Sequence, residues 1–310
     1  MIGIDELGRV VFGCGNFGGM GSSPTLRHQG DDRDRAFILL DHARSLGLTR
    51  FDTANTYGGG ASETILGEWL RAQDDAWRAG LQIATKVGNP HGCPPGDRPL
   101  SRKQVASQLE RSLLRLGTER IDLYYIHEFD ALTPLEETLE ALDRALSEGK
   151  IARFGVSNAT IDDLRAVLSL TGESALRGAF THVQNQFNLL EQRDLSDVIP
   201  LAQAEGLSYV AFSPLAGGLL SGKYRVDRAP AAGTRLSAAA ENYESQTTPL
   251  AFAAIDRLAQ KAAAAGQTVA AAALRFILDT TGVDSLIVAP RSIDQFNAYS
   301  IGQGRAPPHQ

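Results

Sequence analysis

The stretch VFGCGNFGGMGSSP, Val11 to Pro24, decides between two ways of building an α/β fold. Gly13, Gly15 and Gly18 have the G-x-G-x-x-G spacing of a dinucleotide-binding turn, in which a strand leads directly into a helix. The residues that follow, Gly19 to Pro24, cannot continue a helix and are typical of a loop. The stretch therefore favours a glycine-rich loop after a strand over a Rossmann turn.

Outside this stretch, short apolar runs alternate with segments of helical periodicity. The runs are VVF at 10–12, TRFD at 49–52, LQIATK at 81–86, IDLYYIH at 121–127, ARFGVSN at 152–158, HVQN at 182–185, YVAFS at 209–213 and SLIV at 285–288. The helical segments are 35–45, 62–70, 101–116, 133–146, 161–170, 194–204 and 269–278. Strands separated by crossover helices must be parallel, so the pattern predicts a single (β/α)8 TIM barrel over residues 1–310. A doubly wound open sheet is the alternative.

The composition limits the possible partners and the compartment. The 310 residues are 43% hydrophobic and 21% charged, which is an ordinary balance for a globular core. A net charge of -6 and a pI near 5.6 provide no basic face, so we expect no nucleic-acid or membrane partner. The sequence shows no secretory segment, and its two cysteines, Cys14 and Cys93, lie in no motif. We therefore expect a cytoplasmic protein with two inert thiols.

Most of the apolar runs stop on a polar or ionisable side chain. These residues are Asp52, Lys86, His127, Ser157, Asn158, Gln184, Asn185 and Ser213. Each has a structural explanation when taken alone, such as a helix cap, a solvated strand end or a satisfied buried histidine. The carboxyl ends of barrel strands meet at one face, however, so together these residues predict one polar site there.

Three of these side chains, with Tyr57, suit proton transfer. Tyr57, in the loop after the second run, has an ordinary pKa near ~10 and is a poor acid or base at neutral pH. An ammonium beside the phenol, from Lys86, lowers that pKa, and the carboxylate of Asp52 keeps the ammonium charged. A ring N–H of His127 can orient a carbonyl oxygen beside the phenol.

Other chemistries are poorly supported by the sequence. It contains no H-x-H, no H-E-x-x-H and no paired cysteines, so we expect no metal site. A G-x-S-x-G nucleophile elbow is also missing. A tyrosine acid beside a polarised carbonyl needs a hydride, which a cofactor must supply.

These motifs resemble the aldo-keto reductase superfamily, from about Gly13 to about Ser292. The superfamily's catalytic tetrad matches Asp52 and Tyr57 in FDTANTYG, Lys86 in ATK and His127 in LYYIHEFD. The resemblance implies reversible hydride transfer between NAD(P)H and an aldehyde, ketone or sugar carbonyl. Tyr57 would be the general acid in reduction and the general base in oxidation. The alternative is a nucleotide-binding regulatory or interaction subunit.

The resemblance also implies a set of cofactor contacts. It assigns Ser157, Asn158 and Gln184 to the nicotinamide carboxamide and Phe212 to the nicotinamide ring. The motif FSPLAGGLLSGKY places Ser213, Leu215, Gly217 and Lys223 along the pyrophosphate. The loop GCGNFG places Gly15, Asn16 and Phe17 at the mouth of the site, and Asp52 also belongs to the cofactor contacts.

The segment after the eighth run, LIVAPRSIDQFNAYS, departs from the superfamily pattern. Gln295 lies near the usual arginine, and Ala298 and Tyr299 replace a Glu-Asn pair. Arg291 is the remaining cation for a 2'-phosphate. We therefore expect NADP(H) to be preferred over NAD(H), by a reduced margin.

Two segments fall outside the alternation. Residues 224–248 form a long stretch without periodicity, which we expect to be a mobile loop that folds over the pyrophosphate. Residues 301–310 are expected to be a short C-terminal tail.

Overall fold

Eight parallel strands close into a barrel in chain order in the computed structural model, which describes residues 2–172, 174–225 and 228–302. The strands are β1 (Val10–Gly13), β2 (Arg50–Asp52), β3 (Gln82–Val87), β4 (Leu123–Ile126), β5 (Phe154–Ser157), β6 (Phe180–Gln186), β7 (Ser208–Phe212) and β8 (Ser285–Val288). Pairing of β1 with β8 closes the sheet, with Val11 opposite Ile287. The predicted (β/α)8 barrel is confirmed, and the open sheet is excluded.

Helices separate the strands and surround the barrel. They are α1 (Arg33–Ser45), α2 (Ala61–Arg71), α3 (Asp75–Arg78), α4 (Arg102–Leu116), α5 (Leu135–Ser147), α6 (Ile161–Thr171), α7 (Ala175–Ala179), α8 (Val198–Ala204), α9 (Arg235–Ala238), α10 (Pro249–Ala264), α11 (Val269–Asp279) and α12 (Ile293–Ala298). Side-chain caps set several of their starts: Asp32 accepts from the Arg35 amide, and Thr160 accepts from the Asp163 amide. The predicted helix at 194–204 is shorter, because a 3-10 turn (Arg193–Ser196) precedes α8.

The stretch from Val11 to Pro24 does not form a strand-to-helix turn. β1 ends at Gly13, and the first helix of the barrel begins only at Arg33. The chain between them is a loop with a short 3-10 turn at Pro24–Leu26. The three-glycine spacing is therefore unrelated to a Rossmann fold.

Two layers of apolar side chains hold the barrel. Val11, Val210 and Ile287 form one buried cluster, on which Phe212 packs. Because side chains alternate along a strand, Phe12 points the other way, into the larger core between strands and helices. The inner cluster therefore supports the residues at the carboxyl ends of the strands.

The segment at 224–248 is more structured than its sequence predicted. It contains α9 and a 3-10 helix (Ala240–Gln246), and Leu236 and Tyr243 are buried against Leu219 and Leu220. Residues 226 and 227 lie outside the described residues, as do residues 303–310 of the expected tail. Mobility of the segment stays a prediction.

Within the described part of the chain, no helix combines the length and apolar character needed to span a bilayer.

Helices α2 and α4 cross closely at Gly67. A Cβ atom there would lie 2.1 Å from the Arg115 carbonyl oxygen, which belongs to the backbone and cannot rotate away. We expect Gly67→Ala to lower the free energy of unfolding by about 1–3 kcal/mol through overpacking. Urea denaturation measures this change.

Gly178→Ala in α7 is the matched control, because a Cβ at Gly178 meets nothing within 4 Å. Alanine normally stabilises a helix relative to glycine, so this control should not be destabilised. A Gly67→Ala variant as stable as the parent would refute the close-crossing explanation.

Candidate active site

A cavity of about 1030 Å³ opens at the carboxyl ends of the strands. Fifteen of the residues predicted for the site line it: Gly15, Asn16, Asp52, Tyr57, His127, Ser157, Asn158, Gln184, Phe212, Ser213, Leu215, Gly217, Lys223, Arg291 and Gln295. The barrel brings them together because each follows or ends a strand. The predicted Lys86 and Phe17 lie outside the lining.

Lys86 lies beneath the cavity floor with its side chain fully buried. Its ammonium donates to Asp52 Oδ1, to the Thr53 carbonyl oxygen at 2.8 Å and to the Tyr57 hydroxyl at 3.2 Å. These three acceptors match the three N–H bonds of an ammonium group. The second oxygen of Asp52 accepts from Gln184 Nε2 at 2.9 Å, so the carboxylate is held from two strands.

The electrostatics of this group keep the lysine charged. Burial alone would lower the pKa of Lys86, but the attraction of Asp52 and Tyr57 outweighs it and leaves that pKa above its usual range. A buried ammonium with a carboxylate partner therefore stays protonated at neutral pH.

At Tyr57, burial outweighs the predicted lowering of the phenol's pKa by Lys86. Burial raises the pKa of Tyr57 above its ordinary value, and the opposing effect of Lys86 does not overcome it. Asp52 raises it further, because it would repel a phenolate. Before a ligand binds, the phenol is therefore protonated at neutral pH. Because Tyr57 lines the cavity, this proton is available to a bound ligand.

His127 is the second ring at this end of the cavity. Its imidazole is almost perpendicular to the Tyr57 ring, with the ring centroids 5.6 Å apart. Burial, helped by the nearby charge of Lys86, holds the pKa of His127 well below its usual range. The imidazole is therefore neutral and carries one ring N–H.

The loop after β5 holds amide donors beside His127. Asn158 has a left-handed backbone, with φ at 53°, and its Nδ2 donates to the His127 carbonyl oxygen at 2.9 Å. Asn185 bonds both backbone polar groups of Ala159, which anchors this loop on β6. Ser157 and Asn158 are thus fixed next to the tetrad residues.

The loop after β7 forms the next part of the wall. Ser213, Ala216, Gly217 and Gly218 all have positive φ. A Cβ at Gly217 would lie 2.5 Å from the ring of Tyr243, so only glycine allows the 3-10 helix at 240–246 to pack there. This packing brings the 224–248 segment against the cavity.

Arg291 and Gln295 line the part of the cavity beyond β8, which we call its far end. Gln295 Oε1 accepts from the Arg291 amide at 2.8 Å, and Arg291 Nη1 donates to the Gly233 carbonyl oxygen at 3.1 Å. The guanidinium therefore connects the loop after β8 to the 224–248 segment.

The side chain of Phe17, which was predicted to contact the cofactor, does not line the cavity. Phe17 is 1% exposed, and its ring packs on Phe12 with centroids 5.9 Å apart. Its side chain belongs to the outer core, whereas its neighbours Gly15 and Asn16 line the cavity. An aromatic side chain in an otherwise small-residue loop is more stable in the core than at a polar mouth.

A sequence profile of the Aldo/keto reductase family matches residues 9–300. The chain belongs to this family. It is 35% identical over 272 residues to the uncharacterized oxidoreductase YrpG of Bacillus subtilis, covering 85% of this chain and 80% of the relative. It is 32% identical over 265 residues to the L-glyceraldehyde 3-phosphate reductase of Escherichia coli K12, covering 83% and 75% of the two chains.

A plant relative is named as a channel subunit and not as an oxidoreductase. The chain is 34% identical over 204 residues to a probable voltage-gated potassium channel subunit beta of Oryza sativa, covering 64% of this chain and 60% of the relative. Membership of the family makes this protein an NAD(P)H-dependent oxidoreductase that acts on small-molecule carbonyl compounds.

Several lining residues of this aldo/keto reductase were missed at the sequence level. They include Met20, Gly21, Arg35, Glu128, Arg235, Tyr243 and Thr268. Arg235 is the most informative, because within the described residues no carboxylate pairs with it. Its only sequence signal was its position in the long segment at 224–248, which showed no pattern from which a contact could be predicted.

The neutral state of His127 predicts how stability responds to acid. Its pKa is lower in the folded protein than the ordinary 6.5, so the unfolded chain binds more protons once the pH falls below about 6.5. The free energy of unfolding should therefore fall from pH 6.5 towards pH 5. His127→Gln should reduce this slope by up to about 1.4 kcal/mol per pH unit.

Urea denaturation at several pH values measures the slope, and His91→Gln is the control because His91 is exposed. An unchanged slope in His127→Gln would show that His127 titrates normally in the folded protein.

Proposed function

We propose that this aldo/keto reductase reduces an aldehyde or ketone with NADPH, with Tyr57 as the proton donor. The observation that carries the proposal is the contact of the Tyr57 hydroxyl with the ammonium of Lys86, which is itself held by Asp52 beneath the cavity. The reverse oxidation of an alcohol uses the same groups.

The cavity fits a dinucleotide. Amide and hydroxyl donors of Ser157 and Asn158 lie at the tetrad end, and Phe212 provides an apolar surface beside them. Lys223 lies along the β7 loop, and Arg291 lies at the far end. Amide donors and cations in one cavity suit a nicotinamide, a pyrophosphate and an adenosine phosphate. When bound, the cofactor supplies the hydride for the carbonyl carbon.

Residues of the protein orient the carbonyl group and donate the proton to it. The neutral His127 can donate a ring N–H to the carbonyl oxygen and orient it towards Tyr57. As negative charge develops on that oxygen, the Tyr57 hydroxyl donates its proton. The phenolate left behind lies 3.2 Å from the Lys86 ammonium, which stabilises it, and Asp52 keeps that ammonium charged. The high pKa of the resting phenol ensures that the proton is present at neutral pH.

The names of the relatives support an aldehyde as the substrate class. The Escherichia coli relative is named a reductase of L-glyceraldehyde 3-phosphate, and a human relative, 36% identical over 193 residues, is named an aflatoxin B1 aldehyde reductase.

The rice relative supports a second candidate, a nucleotide-binding regulatory subunit. Turnover of a panel of aldehydes, ketones, sugars and alcohols with NADPH separates the two. Tight cofactor binding without turnover would favour the second.

Tyr57→Phe should remove most turnover and leave cofactor affinity nearly unchanged. The ring keeps its shape, whereas positioned proton transfer contributes about 10²–10⁴-fold to the rate. Steady-state kinetics and fluorescence titration with NADPH measure the two effects. Activity within a few-fold of the parent would remove Tyr57 from this role.

Arg291 is proposed to contact the 2'-phosphate of NADP(H), which would make NADPH the preferred cofactor by a modest margin. A charge-assisted hydrogen bond contributes about 1.5–3 kcal/mol, so Arg291→Ala should weaken NADPH binding about ten-fold or more and leave NADH binding unchanged. Dissociation constants of both cofactors test this. Equal weakening of both, or a parent that binds NADH as tightly as NADPH, would contradict the assignment.

A further inference from the structure

A buried carboxylate lies directly behind Arg291. Asp31, in the loop between β1 and α1, is 1% exposed. Its Oδ1 is 3.5 Å from Arg291 Nε and 3.3 Å from Arg35 Nε. Neither carboxylate oxygen has a hydrogen-bond partner among the residues that the structure describes. Asp31 is thus within ion-pair distance of two guanidinium groups.

The backbone holds Asp31 in place. Its amide donates to the Asn16 carbonyl oxygen at 2.7 Å, and its carbonyl oxygen accepts from the Gly18 amide at 2.8 Å. Because these bonds tie the Asp31 backbone to the loop after β1, the carboxylate can follow a moving guanidinium only by rotation of its own side chain.

The two arginines are also constrained. Arg35 donates through Nε and Nη2 to the Arg291 carbonyl oxygen, at 3.1 and 2.8 Å. Arg291 and Arg35 both line the cavity, whereas Asp31 lies behind them. Two positive charges and one negative charge therefore share the far end of the cavity, and the carboxylate offsets half of the positive charge there.

The environment of Asp31 makes its charge costly. Burial raises the pKa of Asp31, although Arg291 and Arg35 oppose that rise. A buried carboxylate whose partners are two guanidinium groups at 3.3 and 3.5 Å is poorly compensated. It therefore attracts Arg291 strongly, and a second anion must compete with it.

We propose that Asp31 sets the cofactor preference of this enzyme by competing with the 2'-phosphate for Arg291. The inference rests on the proposed contact between Arg291 and that phosphate. Asp31 acts through Arg291 and does not contact the cofactor. NADH has no 2'-phosphate, so its binding should not depend on Asp31.

Asp31→Asn tests the inference because asparagine keeps the shape and both backbone hydrogen bonds. Titrations with NADPH and NADH measure the preference. Titrations with adenosine 2',5'-bisphosphate and adenosine 5'-monophosphate isolate the adenosine end. Asp34→Asn, which removes an exposed carboxylate from the first turn of α1, is the matched control. Asp31→Ser provides a second variant if the asparagine variant folds poorly.

We expect Asp31→Asn to tighten NADPH and the bisphosphate by about five-fold or more, because Arg291 then no longer has a competing carboxylate. NADH and the monophosphate should change less than about two-fold, and Asp34→Asn should resemble the parent. The gain should disappear in the double variant with Arg291→Ala.

Three outcomes would overturn the inference: selective weakening of NADPH, equal changes for both cofactors, or a gain that persists without Arg291. Arg291→Ala alone separates this failure from failure of the proposed phosphate contact. If it leaves the ratio of NADPH to NADH affinity unchanged, Arg291 does not bind the phosphate, and both that contact and the role of Asp31 are refuted. If it selectively weakens NADPH while Asp31→Asn is neutral, only the role of Asp31 falls.

Discussion

The ion pair of Lys86 with Asp52 is the interaction on which the site depends. Both side chains are almost completely removed from solvent, so each charge requires the other. Loss of one partner of a buried pair typically costs about 3–5 kcal/mol. The pair also spans neighbouring strands, β2 and β3, and Gln184 joins it from β6 across the barrel. One polar cluster therefore connects three strands and sets the protonation of the groups above it.

The protonation of the two rings follows from that cluster and from burial. Lys86 remains charged because Asp52 compensates it, whereas burial, helped by the nearby charge of Lys86, keeps His127 neutral. Burial keeps the Tyr57 phenol protonated despite the adjacent ammonium. The same dry environment thus produces a cation, a neutral imidazole and a neutral phenol. This combination suits donation of a proton to a carbonyl oxygen.

The net charge at the far end of the cavity depends on a second group of ion pairs, those of Asp31 with Arg35 and Arg291. These charges come from the loop after β1, from α1 and from the loop after β8, and they meet around Asp31. Arg291 also reaches the 224–248 segment through Gly233. The charge available to a cofactor there depends on how these elements pack, and one buried carboxylate can offset a cation that would otherwise face the ligand.

The sequence by itself determined the barrel and most of the site. Alternating strand and helix periods specify parallel strands, and polar residues at the run ends must then meet at one rim, which is why fifteen predicted residues line one cavity. Local patterns could not reveal contacts between residues far apart in the chain. The Asp31 contact with Arg291, the exposure of Arg235 to the cavity, the burial of Phe17 and the raised pKa of Tyr57 all depend on packing and desolvation. Only the tertiary structure decided these features, because burial and distance, not residue type, set the energy of each charge.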